Sequence, residues 1–485
     1  MTLPASLLTA ACPSHKVWQY FQLICSIPHP SHNEEALAQA IVKLLAEKGV
    51  AVSRDGVGNI IAAKPATLGL ENRPGVVLQA HIDMVPQKTP GSEHDFVKDP
   101  IKLIEKDGWI KADATTLGAD NGIGVAAILA VLMSDDIAHG PLEALFTINE
   151  ESGMEGAHGI ESGLFKACYL LNLDTEEEGE LYVGCAGGRD VNAEIALNWQ
   201  PANSENQAFT LALSGLRGGH SGVDIHDNRG NAALLLFELM ASLPHSFELA
   251  SINAGSVRNA IPRRSFATIT LAPSDVAAAQ TIIANFEQRC KRQYAHPDVD
   301  LSIVMAPTDS VEKVIAAEQQ AALLTMFNTL PNGIQAMCAE APDRVETSSN
   351  LGVIKTTDSE MTLCILVRSF DNAKRDAHCE TLCSHLSALA TVSCINDYPG
   401  WIPDLNSPLL AQMQAVHQRV TGHEAKVQMI HAGLECGLLG AKYPHWQMIS
   451  FGPNIIGAHS PSESVEISTV ESMWALLIEA LVSLK

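Results

Sequence analysis

The sequence predicts an α/β fold: a mixed, mostly parallel sheet covered by helices, with a domain of α+β type inserted into it. Three observations carry that prediction. Continuous apolar runs such as GVVLQAHIDMV alternate with helix-like segments, the pattern of strands buried on both faces of a layered sheet. Several of these runs close on an acid or an imidazole, and in open sheets ligands gather beyond the carboxyl ends of the strands. Beyond residue 187 the texture changes to alternating strands interleaved with helices, and 485 residues with 46% hydrophobic content supply more than one core.

In chain order, residues 34–48 read as an amphipathic helix closed by Gly49, and GVVLQAHIDMV as a buried strand whose active groups come last. GIGVAAILAVLM is apolar on every side, so its helix should be buried, with Asp120 just before the first turn, where the helix dipole favours a carboxylate. LEALFTINE and ACYLLNLD follow as strands ending in acid. After LYVGCAGGRD come the strands FTLALSGL, ATITLA and MTLCILVRSF and the helices NAALLLFELMASL and VAAAQTIIANFEQRC. NDYPGWIP punctuates the chain at 396–403, before a helix, the strand QMISFG, the loop GAHSPSE and a last helix. If His459 in that loop joins the earlier acids, the tail returns to the first sheet. Residues 1–187 and 397–485 then form one discontinuous domain, and 188–396 are inserted.

Charge narrows the partners. With 31 Lys+Arg against 55 Asp+Glu, the net charge of −24 repels phosphate backbones and anionic lipid, so neither nucleic acid nor a membrane surface is expected as a partner. No stretch reaches the roughly 18 apolar residues of a membrane span, and MTLPASLLTAACPSHKVW carries no cationic leader, so a cytoplasmic location is expected. Eleven cysteines at irregular spacing without a CxxC read as reduced thiols. His378, Cys379 and Cys383 lie in a helix-like segment and read as packing plus surface, since a fourth ligand is missing.

His81, Asp120, Glu151, Asp174 and His459 each stand beside an apolar segment and near glycine or small residues. Two imidazoles and three carboxylates suit two divalent cations bridged by one carboxylate, a hydrolytic rather than redox donor set. Asp83 lies two residues from His81, so strand alternation puts both on one face, where the aspartate can accept the imidazole N–H that faces away from a metal. For Asp120 the plainer reading is a helix N-cap, shared with Asn121, but that does not explain the glycines of TTLGADNGIG. Glu150 and Glu151 would point to opposite faces of an ideal strand, so only a bend at Ser152 and Gly153 lets both reach one site. One can then hold metal while the other moves a proton. Glu176, Glu177 and Glu178 read as solvated surface.

Taken together, HIDMVPQ, TTLGADNGIG, NEESGMEGA, LLNLDTEEEGE, GCAGG, GLRGGHSG, RNAIPR, HAGLECG and GPNIIGAHSPSE resemble the carnosinase-like family of dizinc metallopeptidases. The blocks fall in the family's order and run from about Ile27 to the last helix. The resemblance implies a zinc exopeptidase-like catalytic domain and an inserted lid and dimerisation domain. It implies that His81 and Asp174 hold one zinc, Glu151 and His459 the other, and that Asp120 bridges them. Glu150 would be the general base and Asp83 would orient His81. A cis peptide after the bridging aspartate, here Asp120–Asn121, belongs to the same pattern.

The resemblance further implies that His220 donates to the scissile carbonyl oxygen, from the same or the partner subunit of a homodimer, a role open to a positioned imidazole. Asn259 and Arg368 would handle the substrate carbonyl and carboxylate, and Glu435 the free amino end; a guanidinium fork suits a terminal carboxylate. The cofactors would be two divalent cations per subunit, zinc foremost, although cobalt and manganese suit the same ligands. The implied reaction is hydrolysis of unblocked dipeptides, aminoacyl-histidine dipeptides among them. The alternatives are an N-acyl amino acid deacylase or tripeptidase of the same clan, and a peptide-binding protein with a vestigial site. The intact Glu150 and all five ligands argue against the last.

Overall fold

In the computed structural model, which describes residues 3–294, 300–339 and 341–485, the strand Val76–His81 is buried along its whole length. It pairs in parallel with Leu142–Thr147 on one side and Tyr169–Asn172 on the other, so both faces and both edges are covered and apolar side chains are required throughout. Its one polar interior residue, Gln79, is satisfied by a hydrogen bond from its Nε2 to Thr147 Oγ1 at 3.2 Å.

This strand belongs to an eight-stranded mixed sheet. Across it the order is Ala51–Arg54, Ile60–Lys64, Leu142–Thr147, Val76–His81, Tyr169–Asn172, Gln447–Ser450, Glu180–Cys185 and Lys426–Ile430. The parallel part is the central four strands, from Leu142–Thr147 to Gln447–Ser450, while Ile60–Lys64 pairs antiparallel with Leu142–Thr147 and Glu180–Cys185 antiparallel with Gln447–Ser450. The helix Ala119–Met133 is buried from Asn121 to Leu132 and packs against both the helix His15–Cys25 and the strand Val76–His81, which is why its sequence has no polar face. The helix Glu35–Lys48 ends on Gly49 at φ 82°, a left-handed C-cap that glycine adopts without steric cost.

The chain divides into two compact units: Met1–Gly184 with Pro403–Met429 and Leu434–Lys485, and Cys185–Ile402 with Ile430–Gly433. The first holds the mixed sheet. The second is built on a nine-stranded sheet whose pairings are antiparallel, with the helices Ala232–Met240, Val276–Gln293, Ala317–Asn328 and Asn372–Leu386 contributing to its core. Its strand Val345–Thr356 reads VETSSNLGVIKT, yet its first eight residues are buried. Hydrogen bonds make that tolerable: Ser369 Oγ donates to Glu346 Oε1 at 2.7 Å, Ser349 Oγ to Pro331 O at 2.9 Å and Asn350 Nδ2 to Ala260 O at 2.9 Å.

All eleven cysteines are free. Cys379 is buried in its helix, Cys383 Sγ lies 3.6 Å from Cys394 Sγ, and His378 Nε2 lies 3.0 Å from Ser349 Oγ, so this trio serves packing and hydrogen bonding. Among the described residues no helix is long and apolar enough to cross a membrane.

Candidate active site

Three adjacent parallel strands of the first unit end together, because residue 81 is opposite 147 and residue 79 opposite 172. His81 is the last residue of its strand, Glu150 and Glu151 follow the second and Asp174 the third. The chain leaves the second strand through Asn149 at φ 50° and a turn containing Gly153 at φ 137°, which brings the adjacent carboxylates of Glu150 and Glu151 to one side. Atoms of His81, Glu150 and Glu151 lie within 4.8 Å of one another.

Asp120 occupies the centre. Its Oδ1 is 3.1 Å from His81 Nε2 and its Oδ2 is 3.1 Å from His459 Nε2, so each oxygen faces a different imidazole. Asp174 Oδ1 lies 3.2 Å from His81 Nε2, and Glu151 Oε1 lies 2.9 Å from His459 Nε2. Two donor groups result, His81 with Asp120 and Asp174, and His459 with Asp120 and Glu151, and they share the one aspartate. Asp174 Oδ1 and Glu151 Oε1 are buried without an aligned hydrogen-bond donor. Lone pairs left open beside an imidazole nitrogen are what a divalent cation completes, and oxygen with imidazole suits zinc, cobalt or manganese.

The electrostatics point the same way. Burial, then the charge of Asp120, pushes the Glu151 carboxyl up to about 7, and burial holds Glu150 well above the usual carboxylate range. Hydrogen bonds to Asp120 and Glu151 raise the His459 imidazole to about 11. At His81 burial works downward, but Asp174 and Asp120 outweigh it and the ring titrates well above its ordinary range. The acids outnumber the bases, so the cluster draws positive charge. It is closed at His81, 1% exposed, and open at His459, whose side chain is 53% exposed.

Asp83 lies just past its strand and braces four neighbours at once. Its Oδ1 is 3.4 Å from His81 Nδ1 and accepts from the Glu150 amide at 2.9 Å; its Oδ2 accepts from the Glu151 amide at 3.2 Å and from Ser31 Oγ at 2.8 Å. Burial would raise this carboxyl, but the His81 interactions prevail and hold it below its ordinary value. The Asp83 backbone carbonyl, 3.1 Å from His81 Nδ1, is the nearer partner of that nitrogen, and Nε2 faces the cluster. The Asp120–Asn121 peptide is cis, and Asn121 Nδ2 donates to Leu173 O at 2.6 Å, tying the Asp120 turn to the strand that carries Asp174. Gly124 is required there, since a Cβ would stand 2.4 Å from Asn121 Oδ1.

Glu435, also in the first unit, is wholly buried. Its Oε2 accepts from Gln79 Nε2 and Thr147 Oγ1, both at 2.6 Å, while Oε1 has no hydrogen-bond partner. Burial pushes its carboxyl up to about 8.

The second unit gathers His220, Asn259 and Arg368. Gly219–His220 pairs with Ala260–Ile261, and the Ser221 amide donates to Asn259 O at 2.8 Å. The amides of Gly222 and Val223 donate to His220 Nδ1 at 3.2 and 3.0 Å, so the neutral ring carries its proton on Nε2. Burial and the Arg368 guanidinium lower this imidazole to about 4, which keeps it neutral at pH 7. Arg368 Nη2 lies 3.2 Å from Nε2, so two donors converge on a place suited to an acceptor such as a carbonyl or carboxylate oxygen.

Peptidase family M20/M25/M40 matches residues 77–483, which include every group of both donor sets. The chain belongs to this family. It is 43% identical over 469 residues to the cytosol non-specific dipeptidase of Escherichia coli strain K12, covering 96% of each chain. The crystal structure of the aminoacylhistidine dipeptidase from Vibrio alginolyticus superposes with a TM-score of 0.89 at 42% identity, covering 99% of this chain and 98% of that one. The aminopeptidase PepT structure from Bacillus cereus matches at a TM-score of 0.58 and 16% identity over 97% of this chain and 98% of that one, which establishes likeness of fold alone.

Two groups of this M20/M25/M40 peptidase escape a reading of the sequence. Glu177 and Glu178 are exposed as expected, but Glu176 is a correction: it is half-buried, and burial followed by the charge of Asp120 pushes its carboxyl up to about 8. Ile455 donates to the Glu176 carbonyl at 3.0 Å, so a segment distant in sequence covers it, and an acidic run carries no sign of that. The other is Glu463, 3% exposed, whose oxygens accept from the backbone amides of Leu117 to Asp120. Its only signal was its place in the GAHSPSE block.

Proposed function

We infer that this peptidase hydrolyses unblocked dipeptides, aminoacyl-histidine dipeptides among them, with two divalent cations, zinc foremost and cobalt or manganese suited to the same ligands. One observation carries the reading: the two oxygens of Asp120 each stand 3.1 Å from a different imidazole, the disposition of a carboxylate shared by two cations. His81 and Asp174 would hold one ion and Glu151 and His459 the other. When bound, such ions lower the pKa of a water and polarise a carbonyl.

Glu150 is left over from both donor sets and close to them, and we assign it the proton transfer: it takes a proton from the attacking water and returns it to the leaving amine. Its buried carboxyl, already reluctant to ionise, suits that return. His220, with Nε2–H as its donor, stabilises the developing oxyanion, Asn259 assists at the carbonyl, and Arg368 binds the terminal carboxylate. Glu435 is assigned to the amino end, supported by its open Oε1. The names of the Escherichia coli and Vibrio relatives support the dipeptide substrate, and the former supports a cytoplasmic setting. The second unit is assigned a lid and homodimerisation role.

The test is release of free histidine from an aminoacyl-histidine dipeptide after chelation and then stepwise zinc addition, with bound metal counted alongside. Activity should vanish with the metal and return as about two ions bind. Faster turnover of N-acetylated amino acids than of dipeptides would instead make the enzyme a deacylase. For His220→Ala, kcat should fall about 10²–10³-fold with metal content unchanged, the usual loss for one oxyanion donor. Normal turnover by that variant would remove His220 from the mechanism.

A further inference from the structure

The structure assigns Glu463 as the positioning residue that sets the spacing of the two cations, an inference that rests on the two-cation reading of the site. Its carboxylate accepts four consecutive backbone amides: Leu117 at 2.7 Å and Gly118 at 3.0 Å on Oε2, Ala119 at 2.8 Å and Asp120 at 3.3 Å on Oε1. Gly118 at φ 71° bends the chain so that these N–H groups converge, forming a concave anion site of the kind usually offered to a ligand. Here the protein's own carboxylate fills it. Methionine packing closes the other side, since a Cβ on Gly118 would meet Met84 Sδ at 3.0 Å.

Two features give this clamp a function beyond holding a loop. The last amide it binds belongs to Asp120, the residue shared by both donor groups. Glu463 also follows His459 by four residues on the same loop, whose Ser460 Oγ donates to Gly457 O at 2.6 Å and whose Glu463 amide donates to Ser460 O at 3.0 Å. One carboxylate therefore fixes the distance between His459 and the shared aspartate. His81 and Asp174 stand at or just past other strand ends, whereas the hydrogen bonds of the Glu463 carboxylate go to the amides of residues 117–120. The ion on the His459 side depends on Glu463 through two of its three ligands, and the ion on the His81 side through one.

In Glu463→Gln one oxygen becomes an NH₂ donor facing amides. Titrating metal-free protein with Co²⁺, followed by visible absorption and calorimetry, should give two ions of wild-type count, one of them bound about 10–100-fold more weakly, the usual cost of losing a group behind a ligand. A purely structural role would lower the melting temperature while weakening both ions alike or neither, and that result overturns the assignment. Should Glu463→Gln not fold, Glu463→Asp, one methylene short of the four amides, carries the same expectation; wild-type affinity for both ions in whichever variant folds also overturns it. A wild-type chain that takes up fewer than two Co²⁺ ions would instead overturn the two-cation reading itself.

Discussion

Glu150→Ala should turn over an aminoacyl-histidine dipeptide about 10²–10⁴-fold more slowly than the unaltered enzyme, the range expected for loss of a general base and acid, while metal content stays the same. The expectation follows from the division of labour between neighbours. Glu151 faces His459 at 2.9 Å and belongs to a donor group with Asp120, whereas Glu150 joins neither of the two groups that share Asp120. Its amide is held by Asp83 at 2.9 Å, so removing the side chain leaves the turn and the Glu151 backbone anchored. Metal analysis beside steady-state kinetics separates the outcomes. Loss of an ion would make Glu150 a ligand, and unchanged kcat would show that Glu150 is not the base.

Asp120→Ala should abolish measurable hydrolysis and leave a chain that does not retain two ions through gel filtration. Among the described residues no other belongs to both the His81–Asp174 and the His459–Glu151 groups, so its loss leaves each ion with two protein ligands where zinc sites use three or four. Retention of two ions with normal turnover would show that the bridge is not Asp120.

The legible part of this molecule was the part written in local patterns. Apolar runs ending in His81, Glu150 and Asp174 announced buried strands with chemistry at their tips, and the all-apolar helix after Asp120 announced its own burial. The buried polar strand Val345–Thr356 was illegible because its burial depends on partners such as Ser369 and Ala260, far away in sequence. Glu463 and Glu176 were hidden for the same reason. A carboxylate that serves backbone amides some 340 residues away, or one covered by a returning segment, has no local periodicity around it that distinguishes it from a solvated acid.

The discontinuity of the first unit has a consequence in time. Asp174 and His459 are separated by about 285 residues, so at the ~5–20 residues per second of protein synthesis roughly 15–60 s pass between them. Throughout that interval the emerging polypeptide carries His81, Asp120, Glu151 and Asp174 but neither the second imidazole nor the carboxylate that grips the Asp120 turn. On the proposed reading a half-made chain lacks the second centre, and hydrolytic competence arrives only when the returning segment is translated. On that reading the chain is inactive toward the peptides around the ribosome until its last segment folds back.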